Sequence, residues 1–174
     1  MRLKFINRGV RLALLLSGVV AWAQEARTLP VDVQVRLLKS VFSYDYTLKD
    51  AGPVSVFVVS PGAPSRQAVD MAEALTRGGV KSKTATPQEA AAAPGKTSVL
   101  YVMPEASAVA RSLCARPGLL CVSGTPALAE SGTVGVAVGL KADSRPEIIV
   151  HPRRVKDEGH ELSSSLLSLA RLIP

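Results

Sequence analysis

The chain has 174 residues, 47% hydrophobic, 20% charged and 4% aromatic, the composition of one ordinary globular domain and not of a disordered or collagen-like chain. Its 21 Lys and Arg outnumber its 14 Asp and Glu, but Arg2, Lys4, Arg8 and Arg11 crowd its start, and without residues 1–23 the balance is 17 against 14. So small an excess, spread along the chain, makes no phosphate-tracking stripe and excludes nucleic acid as the expected partner.

Those four basic residues, the apolar run 12–20 and Ala21-Trp22-Ala23 have the order of an export signal, cut after Ala23. The continuous apolar stretch is 12 residues, short of the ~20 that span a bilayer. Residues 24–174 are therefore expected as one soluble periplasmic domain, and no Cys follows the cut to carry a lipid. In an oxidising compartment the two cysteines, Cys114 and Cys121, read as a disulfide. Pro117-Gly118 lets the loop between them turn back, and closing it is worth about 2.5 kcal/mol on the chain-entropy model. Their C-x6-C spacing does not set both sulfurs at one helix N-terminus, which argues against a redox centre.

After Pro30, Leu37, Leu38, Val41, Phe42 and Leu48 recur at helical spacing, so 31–48 is expected as one amphipathic helix, stopped by Gly52-Pro53. The β-branched run 54–59 suits a strand buried on both faces. A Pro61-Gly62-Ala63-Pro64 turn leads to a helix over 65–77 that Gly78-Gly79 ends. Residues 80–85 form a weaker strand, 87–95 an Ala-rich loop or short helix, and 98–103 a second central strand. A helix over 105–116, a strand over 119–122 and a short helix over 126–130 follow. Segments 135–140 and 146–150 pair as a hairpin, and a final helix over 161–173 buries Leu162, Leu166, Leu169 and Ile173. Strand and helix alternate through 54–131, so the expected fold is α/β: one three-layer domain with a mostly parallel central sheet, an antiparallel edge hairpin and a C-terminal helix.

In such a sheet, ligands bind beyond the strand carboxyl ends near the topological switch point. The loops there are 60–66, 104–107 and 123–126, offering Ser60, Ser65, Arg66, Glu105, Ser123 and Thr125. Gly62 and the following helix start could hold an anion, although Ser65 serves equally as a helix cap, Arg66 as a solvated side chain, and Thr125 as the cap before Pro126. Other motifs fail on spacing. Pro94-Gly95-Lys96-Thr97 lacks the first glycine of a phosphate loop, with Ala90 in its place, and enters a strand instead of a helix. His160-Glu161 begins like a zinc-protease helix, but Ser164 stands where the second His belongs, and His151 is the other histidine, so no metal set forms. No Ser-His-acid set can be nominated, and the expectation is a protein without catalysis or cofactor.

The order Val122-Ser123-Gly124, a short helix through Glu130, then Gly132-Thr133-Val134-Gly135-Val136-Ala137-Val138-Gly139-Leu140 resembles the YfiR-like family of exported proteins. So do Pro146-Glu147-Ile148-Ile149-Val150, Glu158-Gly159, Leu162-Ser163 and the run from Leu166 to Ile173, and at the other end a helix ending near Tyr44-Asp45. The resemblance implies a small periplasmic α/β regulator, frequently a homodimer. It would repress an inner-membrane signalling protein, a diguanylate cyclase or sensor kinase, by protein contact and so act on cyclic di-GMP and biofilm formation. The alternative is a periplasmic small-molecule sensor or solute-binding module that uses the crevice at the strand carboxyl ends.

Overall fold

The computed structural model describes residues 28–93 and 98–174. The expected export signal in 1–23 and the phosphate-loop comparison at 94–97 lie outside those residues. Strands β1 (Ser55–Val59), β2 (Lys81–Ala85), β3 (Ser98–Val102), β4 (Leu119–Ser123), β5 (Val136–Leu140), β6 (Pro146–Val150) and β7 (Arg171–Leu172) form one sheet in the order β2-β1-β3-β4-β5-β6-β7. Every neighbouring pair is parallel except the β5–β6 hairpin. The helices are α1 (Val31–Ser43), α2 (Tyr46–Ala51), α3 (Arg66–Arg77), α4 (Pro87–Ala91), α5 (Ser107–Leu113), α6 (Pro126–Glu130), α7 (Pro152–Asp157) and α8 (Ser164–Leu169). The chain is a single three-layer α/β domain.

Alternation along the strands builds both cores. Val56, Val58, Tyr101, Val122 and Val138 face α1, α2, α3 and α8, where Leu38, Val41, Leu48, Leu75 and Leu166 meet them. Phe57, Val59, Leu100, Cys121 and Ile149 face the other way, against Ala90, Ala110, Leu113 and Ala129. Strands β3 and β4 are buried throughout, as their apolar runs require, whereas β2 shows Lys81 and Lys83 to solvent at a sheet edge. Lysines there discourage pairing with another strand.

Three elements differ from the sequence expectation. The 31–48 helix is broken, because Asp45 is extended and its carboxylate accepts the Leu48 N–H, starting α2 afresh. Asp45 also bridges to Leu162, which ties that corner to the C-terminal segment. Helix α7 falls in a stretch for which no element was expected. It begins on Pro152 and ends with Gly159 at φ +78°, the His160 and Gly159 N–H groups returning to Val155 and Lys156 carbonyls in a Schellman cap. The final helix stops at Leu169, which is 77% exposed, and Ala170 turns extended so that β7 pairs with β6. Arg171 holds that strand down through Glu147 and Glu130, at 3.2 and 2.7 Å. Leu162 and Leu166 are buried as expected, whereas Ile173 is half-buried and packs against the other core. Among the described residues no helix is long and apolar enough to cross a membrane.

Candidate ligand crevice

The order β2-β1-β3-β4-β5 places the switch point between β1 and β3, where chain connections leave in opposite directions and open a gap beyond the strand ends. A cavity of about 200 Å³ lies at that end of the sheet, on the side of α1 and α3. Leu29, Met71, Met103 and Pro104 line it with apolar surface, and Gln34, Gln67, Asp70 and Thr125 add polar groups.

Its wall is fixed by a buried polar chain. The Tyr101 hydroxyl donates to Gln34 Oε1 at 2.7 Å, and Gln34 Nε2 donates to the Leu29 carbonyl at 2.8 Å. Both side chains are almost wholly buried, so each polar atom needs the partner it has. Burial pushes the Tyr101 hydroxyl pKa well up, against the opposing pull of a Gly124 backbone hydrogen bond, so it stays a neutral donor. Gly124 fits here because it has no side chain: a Cβ would overlap Gln34 Oε1 and stand 2.5 Å from the Tyr101 oxygen.

The structure brings most of the sequence-nominated residues to this end. Ser65 caps α3 by accepting the Ala68 N–H at 3.2 Å and donates to Glu105 Oε1 at 2.7 Å, joining the loops after β1 and β3. Glu105 thereby sets the chain's own carboxylate beside the α3 start, where the sequence suggested an outside anion. Ser123 is buried, donates to the Val102 carbonyl and accepts the Thr125 N–H, fixing the loop after β4. Thr125 lines the cavity and makes no side-chain cap for α6. Ser60 is 1% exposed and its Oγ has no hydrogen-bond partner among the described residues. Arg66 stands apart, its side chain 94% exposed and its nearest acid Asp70 at 4.0 Å. Sequence reasoning missed Gln34 and Tyr101, whose helical and strand spacing reads only as core, and missed the reason for Gly124.

Two further clusters lie elsewhere. The bonded pair Cys114–Cys121, with Cα atoms 5.8 Å apart, is buried and links α5 to β4. Glu158 Oε2 accepts the Cys121 N–H at 3.1 Å, and Arg154 reaches its other oxygen at 3.2 Å. Burial nevertheless pushes the Glu158 carboxyl up to about 8, outweighing the Cys121 and Gly135 N–H groups and Arg154. The two sulfurs and a Glu158 oxygen lie within 4.8 Å of one another, but the sulfurs are bonded together and offer no thiolate to a metal. The second cluster is His160 Nδ1 at 2.7 Å from Asp45 Oδ2, both side chains fully buried, beside a cleft of about 560 Å³ between α2, α7 and α8. This pair pins the α1–α2 corner to the loop after α7. His151 caps α7 by accepting the Arg154 N–H.

No family model matches the chain, and no curated protein does. Solved structures do. A conserved domain protein from Vibrio cholerae superposes with a TM-score of 0.58 at 16% identity, over 83% of this chain and 60% of that one. The ABC domain from Streptococcus pneumoniae in complex with L-Trp gives 0.52 at 12%, over 83% and 62%. The ligand-free, open structure of a substrate-binding protein with adhesive properties from Clostridium difficile gives 0.52 at 17%, over 83% and 60%. They share its fold. The chain spans about 60% of the length of the structures it matches.

Proposed function

We propose that the chain is an extracytoplasmic small-molecule sensor or solute-binding module whose ligand enters the crevice beyond β1, β3 and β4. The observation that carries this reading is the crevice itself: a cavity at the switch point, with an apolar lining, a rigid Gln34–Tyr101–Gly124 wall and polar groups from Gln67, Asp70 and Thr125. Likeness to two proteins, one solved in complex with L-Trp and the other a substrate-binding protein, supports it. The export signal read at 1–23 is consistent with work outside the cytoplasm. A thermal-shift screen of amino acids, aromatic ones included, and other small polar solutes tests it. A true ligand raises the melting temperature of the chain and leaves Thr125→Phe, which fills the cavity, unmoved. A screen in which every hit acts equally on both proteins defeats the reading.

A second reading, regulation of an inner-membrane diguanylate cyclase or sensor kinase by contact, rests on the resemblance of the second half of the chain to exported regulators, and the structure leaves several large apolar side chains exposed. Tyr44, Tyr46, Leu169 and Leu172 are exposed on the α1–α2 corner and the C-terminal segment, away from the crevice. Such apolar exposure suits a protein partner. Deleting the gene would then raise cellular cyclic di-GMP, and an unchanged level would remove this reading while leaving the first intact.

A further inference from the structure

Resting on the crevice reading, we infer that the ligand is a compact organic cation, a primary ammonium on an apolar body, held at its charged end by Asp70. Among the described residues that line the cavity, Asp70 is the one that carries a charge. Leu29, Met71, Met103 and Pro104 give the apolar part of the wall. At about 200 Å³ the space is smaller than the roughly 300–1,000 Å³ of drug-sized sites, which suits a small solute.

Charge at this end of the sheet favours a cation over an anion. The starts of α1 and α3 adjoin the cavity, and each brings about half a positive charge. The chain answers both with carboxylates of its own: Asp32 lies in the first turn of α1, and Glu105 is bonded to Ser65, the cap of α3. Burial chiefly, and the Glu105 charge besides, push the Tyr101 hydroxyl pKa up, so negative potential reaches the cavity wall. Asp70 is the carboxylate left over. Its ion pair with Arg66 spans 4.0 Å between two solvent-exposed side chains, a contact that water screens to little effect. A carboxylate has about four lone-pair sites, so Asp70 can accept an ammonium while Arg66 stays in solvent. The remaining N–H donors of that ammonium find side-chain oxygens on Gln67 and Thr125. A carboxylate ligand would lose its water there and gain no cation in exchange.

Isothermal titration calorimetry of the chain with isoamylamine, isocaproate and leucine tests this, because the three share a branched aliphatic body and carry an ammonium, a carboxylate or both. Isoamylamine is expected to bind, isocaproate to give no heat, and leucine to bind more weakly than the amine. Asp70→Asn should weaken the amine by about tenfold or more, as loss of a charged hydrogen-bond partner does, and should leave the melting temperature unchanged because the side chain is exposed. Asp70→Lys should transfer the preference to isocaproate. Isocaproate binding as well as the amine, no binding of the amine, or amine binding indifferent to Asp70→Asn overturns the inference. The crevice reading fails separately: solute binding without charge preference that Thr125→Phe abolishes keeps the cavity and refutes the cation. Amine binding that needs Asp70 but ignores Thr125→Phe keeps the Asp70 contact and refutes the cavity.

Discussion

Glu158 is fully buried yet carries a carboxyl that burial pushes up to about 8, so at neutral pH the folded chain holds a proton that the unfolded chain has released. A raised acid pKa stabilises fully below the unfolded value near 4.5 and loses that contribution as pH climbs to about 8. Stability is therefore expected to fall between these values, with a limiting slope of about 1.4 kcal/mol per pH unit from this one group. Urea unfolding at several pH values reads the slope, and Glu158→Gln, which cannot ionise, should flatten it. Equal slopes in the two proteins would contradict the assignment. At Gly124, Gly124→Ala forces a methyl against Gln34 and Tyr101, both held in place by hydrogen bonds. A cost of about 1–3 kcal/mol is expected from such overpacking, together with loss of solute binding. A melting temperature equal to that of the parent would mean that the wall yields.

Among the elements, what was legible in the sequence followed from local chemistry. The β-branched run at Val56 to Val59 and the Ser65 cap with Gly78-Gly79 give β1 and α3 almost residue for residue. Helix α7 carried equally local signals, Pro152 at its start and Gly159 at its end, but with a single buried apolar residue, Val155, it showed no periodicity to notice. The C-terminal helix was over-extended because Leu169 and Ile173 fit a helical spacing, whereas the decision was tertiary: the open side of β6 and the Glu130 and Glu147 carboxylates draw Arg171 into β7. The Asp45 break had the same kind of cause, since His160 lies 115 residues away in sequence. An even cysteine pair behind an export signal, with Pro117-Gly118 between its members, did suffice for the disulfide. Replacing Cys114 and Cys121 by alanines should cost about 2.5 kcal/mol, read as a lower denaturant midpoint. Peptide mapping without reductant should find a single intrachain link, and free thiols in the exported protein would contradict it.

For the whole molecule, the sheet order is the fact that matters most for function. Loop positions in the sequence pointed to the strand carboxyl ends, and of the residues named there Thr125 lines the cavity, while Ser65 bonds Glu105 and Ser123 holds the Thr125 N–H. What the sequence could not supply was the wall, because Gln34 and Tyr101 are 67 residues apart and become partners only when α1 packs on the sheet. The most direct test of the crevice is a heteronuclear NMR titration of the chain with the solute that scores best in the thermal screen. Amides of Gln34, Gln67, Thr125 and the loops at 60–66 and 103–105 should shift together and saturate with one dissociation constant. Shifts confined to α2, α7 and α8, around the cleft beside His160, would contradict the crevice as the site.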